Sequence, residues 1–91
     1  MKKHLLIFGK VQGVGFRYWL HEKAIEKNIH GWVKNKITGE VEALLIGKEE
    51  DVNDVIKQCE KGPHSSNVTH IKSHDYKKDY SKKSFDILSS N

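Results

Sequence analysis

Gly9-Lys10-Val11-Gln12-Gly13-Val14-Gly15-Phe16-Arg17 is the stretch around which the chain is organised. The apolar run Leu5-Leu6-Ile7-Phe8 precedes it, and a segment with helical periodicity follows. A strand, a glycine-rich turn and a helix start together form an anion site. Backbone N–H groups point out of the turn, and the helix N-terminus adds partial positive charge. Gly9, Gly13 and Gly15 let the backbone curl and approach a ligand closely. Arg17 closes the stretch, and its planar guanidinium suits bidentate binding of a phosphoryl group. Of the 16 Lys and Arg residues it is the only arginine, so the one fork-shaped donor stands beside the most glycine-rich loop.

The loop differs from the familiar phosphate cradles. It has no Gly-x-x-x-x-Gly-Lys-Ser/Thr pattern. Gly13 and Gly15 supply Gly-x-Gly, but Tyr18 stands where a dinucleotide fingerprint needs its third glycine. It also lacks the cysteine that would turn an Arg-ended loop into a nucleophilic phosphatase site. The loop can hold an anion but carries no nucleophile to attack one.

Outward from the loop, Leu5–Phe8 reads as a strand with both faces apolar. Phe16–Lys27 reads as a helix. Phe16, Leu20 and Ala24 share one face, Trp19 and Ile25 flank it, and Asn28 provides a left-handed stop. Ile29–Lys36 and Glu40–Ile46 read as a hairpin across the Thr38-Gly39 turn. Gly31, Val33 and Asn35 fall on one face with Trp32 and Lys34 on the other, and Val41, Ala43 and Leu45 share a face. Glu49, Glu50 and Asp51 load the start of a second helix with negative charge. Its stripe is Val52, Val55, Ile56 and Cys59, and Gly62-Pro63 stops it. Val68–Tyr76 reads as a fourth strand whose broken alternation implies a bulge. Lys77–Lys83 is a charged loop, and Phe85, Ile87 and Leu88 suggest a short extra strand at the C-terminal end.

The order β-α-β-β-α-β predicts an α+β fold. It is the split βαβ, ferredoxin-like sandwich, with two helices on one face of a mainly antiparallel sheet. Ninety-one residues suit one domain, 1–91. Charged residues make up 31% and apolar ones 36%, which is polar but above the disorder regime. The net charge of +4 favours anionic ligands and falls short of the dense basic face of a dedicated nucleic-acid binder. One cysteine allows no internal disulfide, and no stretch has the length of a signal h-region or a membrane span. A reducing, cytoplasmic setting and no membrane partner are expected.

Six histidines raise the question of metal. His21-Glu22 begins a His-Glu-x-x-His pattern, but Ile25 breaks it. His70 and His74 share a strand face without an evident third ligand. No cysteine cluster, EF-hand loop or nucleophile elbow is present, so neither a metal nor a cofactor is expected. Cys59 on the second helix's stripe reads as a small buried apolar residue. Asn35, near a strand end, carries a carboxamide that can both accept from water and donate to it.

Two stretches taken together narrow the reading. Gly9-x-Val11-Gln12-Gly13-Val14-x-Phe16-Arg17, followed by Gly31-x-Val33-x-Asn35-x-x-x-Gly39-x-Val41-Glu42, closely resembles the paired motifs of the acylphosphatase family. The 17 residues between Arg17 and Asn35 match that family's spacing, and Ala24 and Trp32 fit its helix and second strand. The resemblance runs from about residue 4 to 88 and weakens after Pro63. Lys27-Asn28 stands where the family often has Leu-Gly.

The resemblance implies hydrolysis of acyl phosphates, carboxyl–phosphate mixed anhydrides, to a carboxylate and inorganic phosphate, and without a metal-ligand cluster in the sequence this hydrolysis is expected to be metal-independent. It implies that Arg17 and the loop amides of Gln12, Gly13, Val14, Gly15 and Phe16 bind the phosphoryl group, and that Asn35 positions the attacking water. The expected partners are a small acyl phosphate and product phosphate, with the enzyme a monomer. Two rival classes use the same loop or fold: an anion sensor without catalysis, and an RNA-binding module. Against the latter, Glu40–Ile46 lacks the paired aromatics of an RNA-binding sheet.

Overall fold

A computed structural model describes residues 1–90. Its elements are β1 (Lys2–Lys10), α1 (Phe16–Glu26), β2 (His30–Asn35), β3 (Val41–Ile46), α2 (Glu49–Lys61), β4 (Asn67–Asp75) and β5 (Phe85–Ile87). One five-stranded sheet runs in the order β4-β1-β3-β2-β5. β1 pairs antiparallel with both β3 and β4, and β2 pairs antiparallel with β3. β5 joins β2 in parallel, with Gly31 opposite Phe85 and Val33 opposite Ile87. The expected sandwich is therefore present with its short extra strand, and that strand runs parallel to β2 at the sheet edge.

Both helices cover one face. α1 packs on β2 and β5, α2 packs on β4, and the helices touch each other. The core between them holds Leu5 and Ile7 of β1, Phe16, Leu20 and Ala24 of α1, Val41, Ala43 and Leu45 of β3, and Val52, Val55 and Cys59 of α2. Full burial of a Leu, Ile, Val or Phe side chain contributes about 1.5–3 kcal/mol. The spacings anticipated this core well, because residues four apart on a helix and two apart on a strand must share a face.

The departures have local causes. β1 is nine residues long rather than four, and only Leu5 and Ile7 are fully buried, with Leu6 and Phe8 half-buried on the helix-free face. Ile25 is 53% exposed and does not flank the core. The face set by Phe16, Leu20 and Ala24 is narrow, and a residue one step past Ala24 turns away from it. Leu44 alternates away from the core, yet it is fully buried and lies outside the helix-covered cluster. Its directly opposed neighbours on the helix-free face are His4 and Trp32.

Two stops shape the path into and out of the loop. α1 ends in a Schellman motif: Ile29 N–H donates to Ala24 O (2.9 Å) and Asn28 N–H to Ile25 O (3.2 Å). Asn28 takes φ 55°, the left-handed conformation expected of it. Gly9 serves a different purpose from the one first read into it. The register slips between Phe8 and Gly9, leaving Thr69 as the extra residue of a bulge in β4. A Cβ at position 9 would lie 2.1 Å from Asn67 O, so this glycine admits the β4 backbone rather than a ligand.

Candidate functional site

The β1–α1 loop reaches helix geometry through Gly15, which takes φ 79° and ψ 18° and caps α1 with no side-chain hydrogen bond. A β-carbon-bearing residue would be strained there, and glycine is not. No acidic residue stands in the first turn of α1. The positive end of the helix is therefore not neutralised by its own sequence.

The loop donors are free. Among the described residues, the backbone N–H groups of Gln12, Gly13, Val14, Gly15 and Phe16 have no backbone acceptor; the first bond of this kind is Trp19 N–H to Gly15 O at 3.0 Å. Around Gly13 and Gly15 a side chain would meet nothing within 4 Å, so the loop opens to solvent. Its two apolar side chains point elsewhere. Phe16 is 1% exposed in the core, and Val14 packs against the core. These side chains anchor the loop and leave the amides of the same residues for an anion.

Arg17, the second residue of α1, is half-buried. Among the described residues its guanidinium has no ion pair and no side-chain hydrogen bond, although Lys3, Lys27, Lys34, Lys36 and Lys82 each stand within 4.0 Å of a carboxylate. An unpaired guanidinium beside a row of free amides provides charge and two-point geometry for a tetrahedral dianion.

Asn35 is the last residue of β2 and is half-buried. Its Oδ1 is buried without a hydrogen-bond partner in the protein. A buried acceptor with no donor is costly, about 1–3 kcal/mol, and among the described residues the buried His4 Nδ1 also lacks a partner.

Gln12 joins the two parts. Its Nε2 donates to Lys36 O at 2.7 Å and to Glu40 O at 3.0 Å, the two carbonyls that flank the β2–β3 turn. One loop residue, Gln12, is thus tied to the backbone on both sides of the turn that follows Asn35. The motif spacing signalled the Gln12 main chain, but not its side chain. Its acceptors are backbone carbonyls 24 and 28 residues away, and carbonyls leave no mark in a sequence.

Other chemistry is poorly placed. Cys59 is fully buried, and burial pushes its thiol up to about 12, so it offers no thiolate nucleophile. Among the described residues no group of three or more His, Cys, Asp and Glu is arranged to hold a metal. His4 instead pairs with Glu42 at 2.6 Å on the helix-free face, and His70 stacks on Phe8 with ring centres 4.4 Å apart. A hollow lined by Lys48, Glu49, Glu50 and Asn53 lies at the start of α2, where its two carboxylates make it a poor host for phosphate.

A family profile described as acylphosphatase matches residues 3–87. An acylphosphatase of Rhodopseudomonas palustris is 44% identical over 66 residues, which cover 72% of this chain and 67% of that one. The crystal structure of acylphosphatase from Bacillus subtilis superposes with a TM-score of 0.91 at 32% identity, covering 96% of this chain and 97% of that one. An acylphosphatase structure from Coxiella burnetii gives 0.88 at 32% identity, with 96% and 90% covered.

Proposed function

The chain belongs to the acylphosphatase family, whose reaction is the hydrolysis of acyl phosphates, and we propose that in this enzyme Arg17 and the loop amides of Gln12–Phe16 hold the phosphoryl group while Asn35 orients the attacking water. The observation that carries the division of labour is the contrast in unmet hydrogen-bonding groups. Five loop amides and the Arg17 guanidinium are donors without a partner, which suit an anion, while the unmet group of the Asn35 carboxamide is an acceptor, its Oδ1.

The chemistry asks for little more. Water attacks phosphorus, the bond from phosphorus to the acyl oxygen breaks, and the electron pair leaves with the carboxylate. The water proton passes to a phosphoryl oxygen, so the products are a carboxylate and dihydrogen phosphate. Carboxylates are stable anions at neutral pH, with ordinary pKa values near ~4, so no general acid is required. A loose phosphoryl-transfer transition state calls for positioning and charge stabilisation rather than a covalent nucleophile. The free guanidinium and amides supply the charge, and Asn35 supplies the positioning.

In the same reading the enzyme works without a metal and as a monomer in a reducing compartment. The unpaired donors already meet the phosphoryl charge, and the lone cysteine is enclosed in the core as a thiol. Among the described residues no helix is long and apolar enough to cross a membrane.

Asn35→Ala tests the roles. With acetyl phosphate or benzoyl phosphate as substrate, kcat is expected to fall by at least ~10²-fold, as for loss of one preorganised polar contact. Inorganic phosphate should still inhibit competitively within a few-fold of the parent's constant. Normal turnover with weakened phosphate inhibition would move Asn35 to anion binding and overturn the assignment. Activity lost on exhaustive chelation and restored by zinc or magnesium would sink the metal-free route.

A further inference from the structure

We infer that the side chain of Gln12 is a positioning residue: it fixes Asn35, and with it the attacking water, against the phosphate-binding loop. The inference rests on the roles proposed above for Arg17 and Asn35, and it adds a task for Gln12 beyond its loop amide.

Asn35 has no side-chain hydrogen bond that would hold its buried Oδ1 in place. Its orientation therefore depends on the backbone of β2 where the strand runs into the turn. That backbone is closed by Lys36 N–H to Glu40 O at 2.9 Å and Gly39 N–H to Lys36 O at 3.0 Å. Beyond it, Ile37 is 85% exposed, and Thr38 and Gly39 are exposed, so packing does not brace the tip. The same two carbonyls, Lys36 O and Glu40 O, each accept a second bond from Gln12 Nε2. A carbonyl has two lone pairs, so both bonds fit without displacing the turn's own. Both hydrogens of one amide group are thereby used on the two arms of one turn.

The geometry suits alignment better than general stability. Gln12 lies in the glycine loop, between the end of β1 and the start of α1, and its side chain alone reaches across to the hairpin with hydrogen bonds among the described residues. Without it the hairpin would keep its own backbone bonds and the loop its core packing through Phe16 and Val14, but no side-chain hydrogen bond would set their separation. In-line attack is sensitive to that separation. A misplacement of about 1 Å costs on the order of 10²-fold in rate, so a shift of about half that corresponds to roughly 10-fold.

The test is a double-mutant cycle between Gln12→Ala and Asn35→Ala, read by steady-state kinetics on acetyl phosphate and by competitive inhibition with inorganic phosphate. The expected result for Gln12→Ala is a kcat about 10-fold lower with phosphate inhibition within two-fold of the parent. In the Asn35→Ala background, Gln12→Ala should cause no further fall, because there is no longer a positioned water to lose. Gln12→Met keeps the volume and removes the donors, and it replaces the alanine variant if that one fails to fold. Normal kcat in either folded variant overturns the inference. So do equal losses in kcat and phosphate binding, or effects that multiply in the double variant. Full turnover by Asn35→Ala alone would instead strike the underlying reading, whatever Gln12 does.

Discussion

The two helices begin in opposite electrostatic states. α2 carries Glu49, Glu50 and Asp51 in its first turn, so its positive end is answered by its own carboxylates. α1 has no acid in its first turn, a left-handed glycine as its cap, and Arg17 as its second residue. By the rules of helix stability α1 is the poorer start. A helix that omits cheap stabilisation at its N-terminus, and adds a cation there, leaves room for an anion from outside. The comparison teaches that the missing carboxylate is as informative as the residues present.

The comparison breaks most visibly if Arg17 does not matter. Arg17→Ala removes two charge-assisted hydrogen bonds of ~1.5–3 kcal/mol each, about 3–6 kcal/mol if additive. That corresponds to a fall in kcat/KM on the order of 10²- to 10⁴-fold. Arg17→Lys keeps the charge and loses the fork, and most of the loss should remain. A lysine variant of near-normal activity in the phosphate-release assay would reduce the site to charge alone.

Tyr18→Glu sharpens the contrast by giving α1 the acid that α2 has. Tyr18 is 69% exposed in the first turn, so the substitution should be tolerated. A first-turn carboxylate stabilises a helix by about 0.3–1 kcal/mol, which thermal unfolding would show as a small rise in Tm. The same charge repels an anionic substrate, and KM is expected to rise several-fold. Higher Tm with unchanged KM would mean that the helix end does not attract the substrate.

Neutralising α2 is the converse. The combined Glu49→Gln, Glu50→Gln and Asp51→Asn variant should lose about 1–2 kcal/mol in urea unfolding and keep its kcat. It should not gain a phosphate site, since α2 has neither the glycine loop nor an arginine. Phosphate binding at α2 in a titration of this variant would show that an open helix end suffices.

The smallest effect comes from acid. Hydrogen bonds from Lys27 and Gln58 hold Asp54 below the usual carboxylate range, and the ammonium of Lys3 does the same for Asp75. Both native values lie below the unfolded ones, so their stabilisation is present above the unfolded carboxylate pKa. It fades as pH falls below about 4, through the native values. Asp75 is exposed and Asp54 partly so, so Tm should drop only modestly there and the drop should shrink in high salt. A Tm that rose on acidification would contradict these pairs.

Much of this was legible before any coordinates. The stripes Phe16-Leu20-Ala24 and Val52-Val55-Cys59 named the core faces of both helices, and the broken alternation at Val68 and Ile71 announced the β4 bulge. Arg17, Gly13, Gly15 and Asn35 could be picked out because their chemistry or spacing is unusual in this chain. What stayed hidden depends on partners distant in sequence. The polar ends of β1 belong to the strand because β3 and β4 supply backbone partners, which hydropathy does not register. Leu44 lies off the face shared by Val41, Ala43 and Leu45, and nothing in the sequence sets His4 and Trp32 opposite it. Gln12 looked like one more loop amide until the hairpin placed two carbonyls before its side chain.

The place of β1 in the sheet has a consequence for how the chain is made. β1 is synthesised before its two neighbours, β3 and β4, and residues paired across β1 and β4 lie up to about 70 positions apart. Closing so long a loop delays the reward until much of the entropy has been lost, which places folding in the slower, non-local class. At ~5–20 residues per second, one edge of the Leu5–Phe8 run waits about 3–13 s for β4 to be synthesised. During that interval the strand is an open template with apolar side chains, and pairing with another nascent chain competes with pairing to its own.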